Sequence, residues 1–460
     1  MHILENIPAK RAIIAAVQLD SVSDTEFESS LAELADLAFT LGLEVVGQFT
    51  QKRATFDATA YIGVGKREEI KRFIEVDEAQ AYRTSKDASL EPMEPIEYIL
   101  LDHEISPSQL LNLENEVGCE VMDRTVVILE IFHRNANSHA SKLQVEMARL
   151  NYMAPRLREA AKREGPTGRQ RSGAGGRGTG QSRSQMDSRK VRDRLSELQK
   201  ELDTMAAGRD TQRARRQEQL NLTQVALVGY TNAGKSTIMR ALTKSEVLVA
   251  DQLFATLDTK VRILYPETVP RVLVSDTVGF IKNLPHGLLA SFKSTLDEAL
   301  GASLLLHVVD ASDPGFERQL GVTDKVLAEI GADTVPKLLV FNKIDGLHNE
   351  QTSLSQVTYL KEKYPNCIVM SALNDADVTQ LHQAIVLSTQ NYLIETEVFL
   401  SWAQQDLRGE IYSSCDVIEE RTDDHGVYFK FLSSKEMSVK LRVLAGDKSA
   451  TDDLLEDWEK

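Results

Sequence analysis

The stretch VALVGYTNAGKST, Val225 to Thr237, constrains this chain more than any other. Gly229, Gly234, Lys235 and Ser236 stand in the order glycine, four residues, glycine, lysine, serine, which is the spacing of a phosphate loop. The apolar run Val225 to Val228 before it reads as a strand, and Ile238 to Leu242 after it suits a helix. Such a loop needs that context. Glycines let backbone N–H groups turn around phosphate oxygens, and the helix N-terminus adds favourable potential for an anion. Gly229, Tyr230, Thr231, Asn232, Ala233, Gly234, Lys235, Ser236 and Thr237 are therefore expected around a nucleotide's phosphates. Lys235 would reach the β- and γ-phosphates, and the Ser236 hydroxyl would hold Mg²⁺.

Further nucleotide elements follow in order. Thr256, in DQLFATLD, lies where a loop threonine completes the Mg²⁺ shell and senses the γ-phosphate. Phe254 and Ala255 come to the nucleotide with it, and Thr259 is a neighbouring alternative to Thr256. The strand RVLVSD ends in Asp276 and runs into DTVGF. Asp276 can hold the metal through water, Thr277 and Val278 line the site, and Gly279 can offer its N–H to the γ-phosphate. Lys235, Thr256 and Gly279 form the expected catalytic set. In NKID, Asp345 can accept two hydrogen bonds from guanine, a donor pair that adenine lacks. Asn342 and Lys343 would tie that loop to the phosphate loop, and Ser371, Ala372 and Leu373 would support the base. Each string stands at the carboxyl end of an apolar run, where open α/β sheets bind ligands. Together they predict a GTPase domain over 221–395 with a doubly wound, mainly parallel sheet. Phe280 occupies the place where many regulatory GTPases carry a water-orienting glutamine, and a phenyl ring cannot do that work. Intrinsic turnover is therefore expected to be slow, about 10⁻⁴ to 10⁻² per second. His286 is a lone polar candidate nearby. Asn232 matches the asparagine by which some GTPases hold K⁺ beside the phosphates, so it is a candidate K⁺ ligand.

Before this domain, strand-like runs alternate with helical spacing. Ala12 to Leu19, Leu43 to Phe49, Ile96 to Leu101 and Cys119 to Met122 read as strands. Phe27, Leu31, Leu34, Leu37 and Ala38 recur at helical steps behind an Asp24 cap, with Gly42 as the stop. Ser106 can cap a helix running to Val117, and Asp77 to Pro95 reads as a polar loop. The order implies an α/β domain over 1–124. YIGVGKREEI, Tyr61 to Ile70, is a glycine turn opening a helix and lacks the spacing of a phosphate loop.

Over 125–220 the helical spacing lengthens. Leu143, Met147, Leu150, Met153 and Leu157 make one stripe; Val191, Leu195, Leu198, Leu202 and Met205 make another. Two such stripes predict a long antiparallel helical hairpin. Its connection, residues 165–183, has seven glycines, four arginines and no acid. Net charge is −16 over the chain, yet Lys142 to Leu220 holds 19 Lys/Arg against 10 Asp/Glu, a local +9 that leaves −25 elsewhere. One basic element carried by acidic domains points to phosphate contact. Arg169, Arg171, Arg177 and Arg183 are the candidate RNA contacts. The remainder, 396–460, alternates β-like runs (Val427 to Phe431, Val439 to Leu444) with charge and is expected to be a small acidic α/β domain.

No run of eighteen apolar residues is present, so no membrane insertion is expected. Cys119, Cys367 and Cys415 are too scattered for a disulfide framework or a zinc site and suit a reducing cytoplasm.

Taken together the motifs resemble the HflX family of ribosome-associated GTPases across nearly the whole chain. The residues that carry this are YIGVGK, LDHEISPSQLLNLE (Leu101 to Glu114), MDRTVVILEIF (Met122 to Phe132), KLQVEMARLNYMAPRL (Lys142 to Leu157), GYTNAGKST, DQLFATLD and DTVGFI. The resemblance implies an N-terminal α/β domain with a helical hairpin, a central GTPase domain and a small C-terminal domain that contacts ribosomal protein. It implies GTP hydrolysis stimulated by the large ribosomal subunit, and a GTP-bound form that splits ribosomes or rescues stalled ones with the hairpin near the peptidyl-transferase region; the chain is expected to be a monomer. Some family members are credited with ATP binding in the N-terminal half, for which this sequence has no phosphate loop. The hairpin connection departs from the family's RGPGE and TQLE: here it reads GRGTGQSRSQMD, Gly176 to Asp187, without the proline and acid and with Arg183 gained. A different class of function, an RNA-binding assembly or remodelling factor in which nucleotide serves the fold, would leave function intact after Lys235→Ala. A membrane-associated role has no anchor or basic amphipathic helix behind it.

Overall fold

The computed structural model describes residues 10–86, 93–163, 189–205, 223–244, 253–254, 258–282, 298–347, 350–390 and 393–447. The chain divides into two compact units. The first comprises Met1–Asp203, Asp251–Ala255 and Asn283–Phe292; the second comprises Thr204–Ala250, Thr256–Lys282 and Lys293–Lys460.

The first unit is built on a four-stranded parallel sheet in the order β2-β1-β3-β4. Its strands are β1 (Lys10–Leu19), β2 (Leu43–Arg53), β3 (Ile96–Leu101) and β4 (Glu120–Asp123). Central strand β1 is buried continuously from Ala12 to Val17, as expected of a parallel strand covered on both faces. Helix α1 (Asp24–Thr40) buries Phe27, Leu31, Leu34, Leu37 and Ala38, the stripe its spacing predicted. Its cap is Ser23 and not Asp24. The Ser23 hydroxyl accepts the Glu26 N–H at 3.2 Å, while Asp24 opens the first turn and accepts from Gln18 at 2.6 Å. Gly42 ends the turn after α1 at φ +69°, a conformation that glycine adopts without strain.

Helix α2 (Val64–Lys86) overturns the expected polar loop from Asp77, because the helix continues ten residues into it. Its inward stripe is Arg67, Ile70, Ile74, Asp77 and Ala81, all buried. Two of those five positions are charged, so apolar spacing could not reveal the stripe. Asp77 is paired with Arg11 of β1 at 2.9 Å. Helix α3 (Pro107–Val117) begins with a complete Ser106–Gln109 capping box and stops at Gly118. Helices α4 (Arg124–Asn135) and α5 (His139–Arg163) follow, then α6 over residues 189–205. Glu146 meets Arg194 at 2.8 Å and His139 meets Glu201 at 2.6 Å. Rising numbers on one helix pair with falling numbers on the other, so α5 and α6 run antiparallel.

The interior of this unit holds paired charges. Asp102 accepts from Ser30 at 2.8 Å and from Arg124 at 2.9 Å, and Arg124 also meets Glu33 at 2.5 Å. Asp123, fully buried, caps α4 through Val126 N–H at 3.0 Å and accepts from Arg156 and Tyr152 of α5.

In the second unit a six-stranded sheet runs β10-β9-β8-β5-β7-β6. It comprises β5 (Thr223–Gly229), β6 (Lys260–Ile263), β7 (Val272–Asp276), β8 (Leu304–Asp310), β9 (Lys337–Asn342) and β10 (Ile368–Val369). Only the edge pair β6–β7 is antiparallel. Helix α7 (Lys235–Thr243) buries Ile238, Met239 and Leu242 on the sheet. A separate antiparallel sheet, β11-β13-β12, joins β11 (Ile394–Ser401), β12 (Asp416–Thr422) and β13 (Gly426–Ser433). Val439 to Leu444, read from sequence as β-like, belongs to the helix Lys435–Leu444. Its β-branched content is two valines, and Met437 and Leu441 face the small core that includes Phe429 and Phe431. Among the described residues no helix is long and apolar enough to cross a membrane.

Candidate nucleotide site

Strand β5 drives the phosphate loop straight out of the sheet. Gly229 sits at φ +147°, and a Cβ there would lie 2.2 Å from the Val308 carbonyl oxygen of β8. The first glycine is thus required by packing as well as by the turn. Asn232 and Gly234 also take positive φ, +59° and +93°, which curls the loop so that consecutive amides can face one centre. A Cβ on Gly234 would meet Asn342 Nδ2 at 2.2 Å. That closeness comes with two hydrogen bonds. Asn342 Nδ2 donates to the Ala233 carbonyl at 3.0 Å, while its Oδ1 accepts the Ala372 N–H at 3.0 Å. One side chain therefore binds together the phosphate loop, the NKID loop and the Ser-Ala turn.

Lys235 is buried and donates to the carbonyls of Gly229 and Tyr230 at 3.0 and 2.7 Å. Burial pulls its ammonium down to about 8, with Asp276 opposing that shift and Lys343 adding to it. Ser236 donates to Asp276 at 2.7 Å, and the Asp276 side chain is wholly buried at the end of β7. A hydroxyl and a carboxylate held together are hard oxygen donors of the kind Mg²⁺ takes. Lys343, at φ +62°, meets Asp310 at 2.9 Å, which fixes the start of the NKID turn. Asp345 lies exposed in the short 3-10 turn Ile344–Gly346. Ser371 is held by Asp377 through its N–H at 2.8 Å, and the Leu373 N–H returns to the Ser371 hydroxyl at 3.2 Å.

The structure thus brings Gly229 to Ser236, Asp276 to Gly279, Asn342, Lys343, Asp345 and Ser371 to Leu373 to the carboxyl ends of β5, β7, β9 and β10. Within that group some side chains turn elsewhere. Thr277 donates its hydroxyl to the Leu227 carbonyl at 2.6 Å, and the Leu373 side chain stands out into solvent. Phe254 belongs to the first unit, edge-on to Phe132 at 4.6 Å, with Asn135 donating to its carbonyl at 2.9 Å. Ala255, Thr256, His286 and the candidate RNA contacts Arg169, Arg171, Arg177 and Arg183 lie outside the described residues. Sequence reasoning passed over Asp310 and Asp377, which orient the base loops. Asp310 ends an apolar run just as Asp276 does, and that was the available signal.

Comparison with known proteins covers most of the chain. A family described as GTP-binding GTPase N-terminal matches residues 28–133, GTP-binding GTPase Middle Region matches 135–216, and 50S ribosome-binding GTPase matches 224–343. The chain is 48% identical over 446 residues to the GTPase HflX of Gluconacetobacter diazotrophicus, covering 92% of this chain and 95% of the relative. It is 36% identical to the GTPase HflX of Caldanaerobacter subterraneus subsp. tengcongensis, over 94% of this chain and 93% of that protein. With the GTPase HflX of Escherichia coli K12 it shares 34% identity over 418 residues, 91% of this chain and 92% of the relative.

Proposed function

We propose, from the premise that the chain belongs to the HflX family of GTPases, that it is a switch worked by the large ribosomal subunit, splitting or rescuing ribosomes in the cytoplasm. The chain is a GTPase, and its GTPase domain is of the ribosome-binding kind. The observation that carries the reading is the Asn342 bridge, because it holds the phosphate loop and both base loops in one constellation. Gly229 to Thr237 would cradle the phosphates, and Asp345 would select guanine. Lys235 would neutralise charge on the transferred phosphoryl group, with Gly279 offering its N–H. Ser236, assisted by Asp276 and by Thr256, would hold Mg²⁺, which neutralises phosphate charge when bound. Asn232 would hold K⁺.

Phe280 is 2% exposed and offers no hydrogen bond to water, so the attacking water is placed by another group. That makes basal turnover slow and leaves room for a partner. The basic stretch from Lys142 to Leu220, with Arg169, Arg171, Arg177 and Arg183, would meet ribosomal RNA. GTP turnover by purified protein, with and without large subunits and in K⁺ or Na⁺, tests this. Turnover is expected to rise at least about a hundredfold with subunits, an ordinary size for activation of a slow GTPase. No rise would overturn the ribosomal role, and equal rates in the two salts would overturn the role of Asn232.

A further inference from the structure

Tyr230 belongs to the phosphate loop by sequence, yet its hydroxyl serves a different loop. It accepts the Lys282 backbone N–H at 2.8 Å. Two backbone bonds run beside it. Phe280 N–H reaches the Gly229 carbonyl at 3.1 Å, and Thr231 N–H reaches the Phe280 carbonyl at 2.7 Å. Residues 229–231 and 280–282 therefore form a three-bond seam, with a parallel bridge between Tyr230 and Phe280. The seam is buried: Tyr230 is 8% and Phe280 2% exposed.

Its consequence falls on Gly279. A Cβ built there would stand 2.9 Å from Thr231 Cα and 3.0 Å from Lys235 Nζ. The Gly279 backbone is thus packed against the lysine. A γ-phosphoryl group held by both the Lys235 ammonium and the Gly279 N–H does not fit between them in this arrangement. To admit it, the Lys235 ammonium must leave the Gly229 and Tyr230 carbonyls or Gly279 must withdraw, and the seam opposes the second by pinning the very next residue. GDP carries no such group and makes no such demand.

We propose that Tyr230 is a latch, a positioning residue whose hydroxyl holds the DTVGF loop against the phosphate loop and so biases the site toward GDP. The latch goes beyond the ribosomal reading and rests only on the binding of guanine nucleotide at this site. A ligand shifts a two-state element only by its differential affinity for the two states. GTP then spends part of its binding energy opening the seam, and whatever else opens the seam tightens GTP without touching it.

The test is Tyr230→Phe, which keeps the buried ring and removes only the oxygen that accepts the Lys282 N–H. The affinities of GDP and of an imido-bridged, non-hydrolysable GTP analogue are measured by fluorescence titration at fixed Mg²⁺. The analogue should bind about fivefold tighter, the scale of one hydrogen bond, with GDP unchanged within about twofold. Basal KM for GTP should fall by more than kcat moves, and an unaltered thermal midpoint would show that the fold is kept. A GDP-to-analogue affinity ratio that stays at the wild-type value, or moves toward GDP, overturns the latch. Wild-type protein that binds neither nucleotide overturns the site and the latch with it.

Discussion

The two parallel sheets of this protein use charge in opposite ways at the same place, the carboxyl ends of their strands. In the four-stranded sheet every buried carboxylate described there has a cation or a hydroxyl of its own: Asp102 has Arg124 and Ser30, and Asp123 has Arg156 and Tyr152. In the six-stranded sheet Lys235 is buried against backbone carbonyls, and Asp345 stands exposed on its turn. The first sheet closes its charges on itself. The second surrounds them with glycines whose missing Cβ atoms let the loops pack closely on one another. A parallel sheet supplies converging strand ends in both cases, and the choice between a structural ion pair and a ligand site is made by what fills the convergence. Arginine and tyrosine side chains fill it in one; in the other Gly229, Gly234 and Gly279 let Val308, Asn342 and Lys235 approach where a Cβ would clash.

Exchange of roles is the way to break that contrast. Lys235→Ala should have the largest effect, lowering GTP turnover by about a thousandfold or more, with the denaturation midpoint nearly unmoved; single-turnover assays and urea melts read both. A loss of fold in place of activity would mean that Lys235 is structural, like the charges of the first sheet. Arg124→Ala should do the reverse. It leaves buried Asp102 and half-buried Glu33 without their shared cation, costing about 3–5 kcal/mol of stability, while protein that remains folded should keep its GDP affinity. The smallest effect is a titration. Lys235 attracts phosphate only as the ammonium, which the free protein surrenders as pH rises through about 8. Bound phosphate raises that value, so the GDP dissociation constant should be flat below it and rise above it, by at most about tenfold per pH unit. An affinity that is constant to pH 9.5 would place Lys235 away from the phosphates.

The same contrast explains what the sequence could and could not tell. The phosphate loop, DTVGF and NKID were legible because their chemistry depends on neighbours in the chain, so spacing alone encodes it. The charged interior of the first sheet was not, since Asp102 and Arg124 stand 22 residues apart and Arg124 and Glu33 stand 91 apart. Nothing local marks them as partners. Helix α2 was cut short in the sequence reading for a related reason: Asp77 looks like surface until Arg11 is found beside it. Membership in a motif also says nothing of where a side chain points. Tyr230 and Thr277 sit in nucleotide motifs, yet their hydroxyls bond to Lys282 and Leu227.

The antiparallel pair at the edge of the six-stranded sheet has a bearing on how the protein behaves in concentrated solution. Strand β6 is four residues long and carries Lys260 and Arg262; at the opposite edge β10 has only two residues. A short charged edge and a two-residue one are both poor templates for recruiting a foreign strand. The sheet that carries the chemistry is therefore badly suited to cross-β stacking, and aggregates formed under stress should be seeded elsewhere. The eleven-residue edge strand β2 is the longer target.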